Sequence, residues 1–156
     1  MPGYEDRREA ILVRLYELMQ TVDASFDPKR NVSELPDTAR YVVLLDGAEH
    51  SVGTIPGRRS ASEPPPQLIE MTPEVQFRVA TKVKDATNVG TTLNLLRSQL
   101  IGIVLTDPTL LALTGRGQSA HYEGAQPATA QGRSTEGGIG VAFTITYLLR
   151  PGRAAA

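Results

Sequence analysis

Apolar side chains recur along the chain with two different periods, and the switching between them outlines the elements. Between residues 5 and 23, Ile11, Leu15, Leu18, Met19 and Val22 fall at offsets of 0, 4, 7, 8 and 11, which is one face of an α-helix. Glu5, Asp6 and Glu9 stand in its first turns, where negative charge suits the helix dipole, and Arg7, Arg14 and Glu17 fill the opposite face. Further on, Tyr41, Val42, Val43, Leu44 and Leu45 are consecutive and apolar, and Asp46-Gly47 ends the run. A short apolar run closed by a turn dipeptide predicts a strand covered on both faces. Ser51-Val-Gly-Thr-Ile55 reads as its partner strand, with Asp46-Gly47 as the turn of a hairpin. The segment between the helix and this strand, from Phe26 to Pro36, reads as a connector, because Pro28 and Pro36 both forbid helix continuation.

The second half repeats the two periods. Residues 56–66 have no apolar period and end in three prolines, which predicts a long exposed loop. Gln67–Met71 and Glu74–Thr81 read as strands; Val75, Phe77 and Val79 alternate with Gln76, Arg78 and Ala80, and Pro73 between the strands predicts a bulge or an edge. Asn88-Val-Gly-Thr reads as a loop into a helix over roughly 91–106. There Leu93, Leu96, Leu100, Ile103 and Val104 fall at offsets of 0, 3, 7, 10 and 11, and Leu95 and Ile101 widen the stripe enough to predict deeper burial than the first helix has. Asp107-Pro108 is an N-cap followed by proline at the first helical position, so a short helix over 109–113 follows. From Thr114 to Gly138 six glycines interrupt a polar stretch, which predicts a long loop with a short strand only at Ala120–Glu123. Ile139, Val141, Phe143, Ile145 and Tyr147 then line one face of a terminal strand, with Ala142, Thr144 and Thr146 on the other. Strands and helices do not alternate regularly. The expected class is therefore α+β, a mixed or mostly antiparallel sheet with two main helices packed on it and long polar loops, all in one domain over residues 1–156.

Charge and composition narrow the chemistry. Lysine plus arginine is 16 and aspartate plus glutamate is 17, a net charge of −1 with a pI near 6.1, which argues against a protein built to grip phosphate backbones. The balance shifts along the chain, from 6 − 10 = −4 over residues 1–50 to 5 − 4 = +1 over 51–90 and 5 − 3 = +2 over 91–156. There is no cysteine, hence no disulfide and no thiol chemistry, which fits a reducing compartment such as the cytoplasm. No run of 18 apolar residues suggests a membrane span.

Catalytic constellations are weak throughout. Asp46, Glu49 and His50 form the one compact set of metal-ligand types; a solvated turn explains them more simply, and His121 lies far away in the glycine-rich stretch. Gly115-Arg-Gly-Gln-Ser-Ala120 has the spelling of a dinucleotide fingerprint but follows a helix, where that motif requires a strand. No nucleophile elbow is present and no cofactor is implied. Arg58 and Arg59 in one loop, with Arg116 and Arg133 in the other, are candidate contacts to phosphate or protein, but no aromatic residue is interleaved with them for base stacking.

Taken together, these segments resemble the tail terminator (tail completion) proteins of long-tailed bacteriophages and related tail-like particles. The likeness is carried by the amphipathic first helix and by Lys29-Arg30-Asn31 and Leu35-Pro36 leading to a strand that ends Leu45-Asp46-Gly47-Ala48-Glu49. It continues in Leu93-Asn-Leu-Leu-Arg97, in Asp107-Pro-Thr-Leu-Leu-Ala-Leu113, and in the terminal Phe143-Thr-Ile-Thr-Tyr147. It covers nearly the whole chain. The resemblance implies an α+β subunit of a homohexameric ring in the virion. Such a ring sits on the finished tail tube, stops its polymerisation and faces a head-completion or neck protein, while DNA passes through the pore without sequence-specific binding. It implies no enzyme activity, no cofactor and no metal. Under it, Arg58, Arg59, Arg116 and Arg133 become candidate interface or pore contacts, and the second cover of the 41–45 strand need not come from this chain, since a neighbouring subunit or the tube could supply it. Two alternatives stay open: a head-completion or neck ring in the same particle, and, more remotely, a small metal-dependent enzyme using Asp46, Glu49 and His50.

Overall fold

The computed structural model describes residues 6–32, 40–55, 64–79, 86–114, 119–129 and 137–151. The first helix, α1 (Arg7–Gln20), is capped by Asp6, whose side chain accepts from the Glu9 N–H at 2.9 Å. Ile11, Leu12, Leu15, Leu18 and Met19 are its buried stripe. Next come β1 (Asp27–Arg30), β2 (Arg40–Leu45), β3 (Glu49–Thr54), β4 (Gln67–Met71) and β5 (Glu74–Val79). The helices α2 (Ala86–Thr106) and α3 (Pro108–Leu113) follow, and β6 (Ala120–Thr129) and β7 (Gly137–Leu149) complete the order. The class is α+β: one seven-stranded sheet, antiparallel except for the parallel β1–β2 pair, with the helices on one face.

The sheet is best followed as lanes. β4 and β5 both pair antiparallel with β7, Gln67–Met71 against Leu149–Ile145 and Glu74–Val79 against Ala142–Gly137. They are two parts of one bent lane, broken only at Thr72-Pro73. The Phe143 N–H donates to the Pro73 carbonyl at 3.0 Å across that break. Proline is accommodated in this interior lane because the break asks it for an acceptor and no donor. β2 and β3 form a second bent lane beside the first, β2 against β5 and β3 against β4. They do not pair with each other, which corrects the expectation of a hairpin through Asp46-Gly47. The reversal comes after β3, where Ile55 N–H donates to the Pro66 carbonyl at 2.9 Å; residues 56–63 lie outside the described set.

Three other expectations are revised. The connector contains β1, whose four residues Asp27-Pro-Lys-Arg30 carry no apolar signal and pair through the backbone of β2. Pro28 is tolerated because β1 is an edge strand. The second helix begins at Ala86, so Asn88-Val-Gly-Thr lies inside it. The glycine-rich stretch holds a ten-residue strand, β6, paired along β7 from Ala120–Ile145 to Thr129–Gly137 with one register shift between Tyr122 and Gly124.

The core lies between the helices and the near face of the sheet. Val42, Leu44, Met71, Val75, Phe77, Val141, Phe143 and Ile145 meet Ile11, Leu15, Leu100, Val104 and Leu110 there. Asp107 caps α3 as expected, accepting from the Leu110 N–H at 2.8 Å, with Pro108 at the first helical position. The broader apolar stripe of α2 does not make it the more deeply buried helix: Leu95 is 57% exposed, whereas α1 buries five residues. In β2, Tyr41, Val42, Val43 and Leu44 are all buried, as a strand covered on both faces requires. Tyr41 and Val43 face away from the helices, where their register neighbours are Asp27 and Arg78, and Lys29 and Gln76. The chain's own residues thus cover this side of β2, and no neighbouring subunit or tube is needed to supply that cover.

Candidate assembly surface

The break between β2 and β3 is held by charge. Arg30, the last residue of β1, donates from Nε and Nη2 to the two Asp46 carboxylate oxygens at 2.8 and 2.9 Å. It also donates from Nη1 and Nη2 to Glu9 of α1 at 2.7 and 3.0 Å. Asn31 stands in the left-handed region at φ 48°. Its N–H donates to the Leu44 carbonyl at 2.9 Å and its side-chain oxygen accepts from the Asp46 N–H at 2.9 Å. Gly47 follows at φ 72°, and a Cβ there would run into the Thr72 carbonyl. Arg8 reaches the Gly47 carbonyl at 3.0 Å and the Glu49 carboxylate at 3.4 Å, and the Tyr147 hydroxyl donates to Glu49 at 2.9 Å. One helix and three lanes of the sheet are thereby tied at a single point.

The electrostatics follow from these bonds. Hydrogen bonding to Arg30 holds Glu9 below the usual carboxylate range. For Asp46, burial pushes the pKa up, but hydrogen bonding by Arg30 and Asn31 and the charge of Arg30 outweigh it, so the net shift is downward. Burial, and then the hydrogen bond to the Glu49 carboxylate, raise the Tyr147 hydroxyl well above its ordinary value. A second clamp joins the helices: Arg14 grips Asp107 at 2.9 and 2.7 Å and Glu17 at 2.8 Å, and its hydrogen bonds hold Asp107 below its ordinary pKa.

These arrangements account for the metal-ligand types singled out in the sequence. Asp46 is occupied by Arg30, Glu49 by Arg8 and Tyr147, and His50 faces Glu70 at 3.6 Å on the side of the sheet away from the helices. The three do not converge, and no group of three or more metal-ligand residues is placed to hold an ion among the described residues. His121 is exposed on β6 opposite Thr144. Arg58, Arg59, Arg116 and Arg133 all lie outside the described residues. A shallow groove of about 390 Å³ runs between the end of α1 and α2, lined by Thr21, Val22, Ser98, Gln99, Gly102, Ile103 and Thr106. It contains no titratable side chain, so the hydroxyls of Thr21, Ser98 and Thr106 have no acid or base beside them in the groove lining. No described helix is long and apolar enough to cross a membrane.

What sequence reasoning missed is that β3 and β6, like β1, are sheet edges with no further strand paired to them among the described residues. All of β3 is exposed, and Val52 is 54% exposed. In β6, Tyr122 is 37% exposed, packs edge-on against Phe143 and lies under the Arg97 guanidinium.

No protein-family model and no curated protein matches this sequence. Among solved structures, the chain is similar in fold to one in the virion of a native gene transfer agent (GTA) particle. The two share 12% sequence identity at a TM-score of 0.50, over 91% of this chain and 94% of the other. At that identity the likeness is one of fold, and it extends over nearly the whole of both chains.

Proposed function

We propose that this chain is a structural subunit of a phage-like virion, a ring-forming tail terminator folded as one unit over residues 1–156. In this reading, copies of the chain, six by the family resemblance, close a ring on the finished tail tube. The ring stops further polymerisation and presents its other side to a head-completion or neck protein. DNA passes through without sequence-specific contacts, and the protein resides at the head-proximal end of the tail. The observation that supports the reading most is the full-length fold likeness to a chain from a gene transfer agent virion. It agrees with the terminator-like segments read from the sequence, and the near-neutral charge suits a channel that must let DNA slide. Arg58, Arg59, Arg116 and Arg133 remain the first residues to probe for contacts between subunits or with DNA. The experiment is light scattering of the purified protein alone and with its cognate tube protein, followed by electron microscopy of tube ends. A ring, or a cap seated on tube ends, is the expected result; a strict monomer that never associates with tube ends sinks the proposal. Labelling the protein in whole particles separates the tail top from the capsid side, where a neck ring would sit.

A further inference from the structure

At the end of β7 that carries Ile145 to Leu149, the lanes run β3-β4-β7-β6, and each strand is antiparallel to the next. β3 and β6 are therefore the two outer edges and point in opposite directions. β3 holds neither lysine nor proline, the residues that most often keep an edge from pairing. β6 has Pro127, but residues 120–126 retain every backbone donor.

The hydrogen-bond phase of both edges can be worked out. The Ala48 carbonyl accepts from Thr72 N–H, so Ala48 turns inward and, by the alternation of an antiparallel ladder, Glu49 and Ser51 turn their backbone groups outward. The Ser119 carbonyl accepts from Thr146 N–H, so Ala120 and Tyr122 turn outward. With four alternating strands, a second copy placed head to tail brings β6 against β3 antiparallel, and the ladder continues unbroken. Setting Glu49 opposite Tyr122 and Ser51 opposite Ala120 joins outward-turned groups and keeps near-face side chains on the near face. On the near face the register also brings opposite charges to the same side. Arg97 is the one charged residue of α2; it lies 5.8 Å from the Tyr122 ring centroid and has no carboxylate partner among the described residues. The incoming Glu49, whose carboxylate also accepts from its own Arg8 and Tyr147, adds negative charge on that face. On the opposite face this register sets the incoming His50 opposite His121 and diagonal to Glu123, which the Thr144 hydroxyl holds at 2.6 Å.

We propose that β3 of one copy pairs with β6 of the next, closing a ring whose wall has four strands per copy. This rests on the ring reading above. The helix layer is the bulkier and takes the outside. The lumen is then lined by His50, Glu70, His121, Glu123, Thr144 and Thr146, with no lysine or arginine among these positions.

The chain has no cysteine, so disulfide trapping is unambiguous. A hydrogen-bonded antiparallel pair has Cα atoms about 5.5 Å apart, within disulfide range. Within one chain, residues 51 and 120 are three lane spacings apart, roughly 14 Å, too far to bridge. A Ser51→Cys/Ala120→Cys chain is expected to oxidise into a ladder of covalent oligomers, while each single variant stays uncrosslinked and a mixture of the two singles stops at dimers. Arg97→Glu is expected to weaken assembly at least tenfold without altering monomer unfolding. Single variants that crosslink with themselves overturn the proposal, as does an Arg97→Glu chain that assembles normally. A double variant that reaches the native assembly size yet forms no disulfide overturns the edge pairing and leaves the ring reading standing. A chain that neither assembles nor crosslinks overturns both.

Discussion

Arg30 is the residue whose removal tests the framework most directly. Arg30→Met keeps an unbranched stem of similar reach and deletes the guanidinium, with two hydrogen bonds to Asp46 and two to Glu9. The Glu9 side chain is 50% exposed, so water replaces its lost partner at a cost of about 0.5 kcal/mol or less. Asp46 is 21% exposed. A hydrogen bond to a charged group contributes roughly 1.5–3 kcal/mol when sheltered, and partial exposure puts the loss here near the lower end. The expected destabilisation is about 2 kcal/mol, or a Tm lowered by about 4–8 °C for a chain of this size. The pH dependence fixes the cause. Glu9 and Asp46 both have folded pKa values below their ordinary ones, so the unfolded chain binds protons more readily. The clamp's contribution is therefore present above about pH 4 and is lost as pH falls through the lowered folded values. Urea unfolding of the native chain and the variant at pH 7 and pH 3 measures both effects. A gap under about 0.5 kcal/mol at pH 7, or one that persists unchanged at pH 3, would refute the reasoning.

The remaining predictions probe single points of the fold. Gly47→Ala forces a left-handed residue with its Cβ against the Thr72 carbonyl, and a loss of at least about 2 kcal/mol is expected by chemical denaturation. Gly102→Ala has the opposite sign: nothing lies within 4 Å of the added Cβ on α2, so a gain of about 0.5–1 kcal/mol is expected, and a Tm that falls would count against the open space assigned there. Asp107→Ala removes the cap of α3 together with the carboxylate gripped by Arg14, and should lower stability by about 1–2 kcal/mol at pH 7 but much less below about pH 4. Tyr147→Phe leaves Glu49 with Arg8 and without its hydroxyl donor, with an expected cost of about 1 kcal/mol in thermal melts.

The sequence made legible what burial controls. The stripe of α1, the alternation of β5 and β7, and the apolar run of β2 all put side chains into one core, so their periods survive as a readable pattern. The Asp107-Pro108 start of α3 was equally plain, because a cap is a local device. Elements that put few side chains into the core were less legible: β1 is Asp-Pro-Lys-Arg, and of β6 only Ala120–Glu123 read as a strand, its continuation mixing glycine, glutamine and alanine along an edge. Asp46-Gly47 was misread for a different reason. The dipeptide has the chemistry of a hairpin turn, but Arg30 and Asn31 at the end of β1 capture Asp46 and set it to bend a lane instead of reversing it. Both halves of that clamp, Lys29-Arg30-Asn31 and Leu45-Asp46-Gly47, stood out in the sequence as separate segments; nothing local says that they meet. Of the candidate site, Arg58, Arg59, Arg116 and Arg133 gained no structural account, while the open edges β3 and β6 are visible only once the lanes are assigned.

The position of the bend connects the clamp to the proposed assembly edge. β2 runs in the interior of the sheet, between β1 and β5, whereas β3, its continuation, is an open edge. The change from covered lane to open edge occurs at Asp46-Gly47-Ala48, where Arg30, Asn31, Arg8 and the Thr72 N–H converge. Holding that point rigid sets the direction in which β3 presents Glu49 and Ser51. An edge strand free to swing would lose ordering entropy on pairing, and one held in place by the clamp has already lost most of it. In the proposed ring, the clamp would then act on association as well as on folding. Arg30→Met should weaken ring formation even at temperatures where the monomer is fully folded, whereas Gly102→Ala, remote from β3, should leave association unchanged. Sedimentation of the two variants below their unfolding transitions distinguishes these effects, and equal association by both would remove the link between bend and edge.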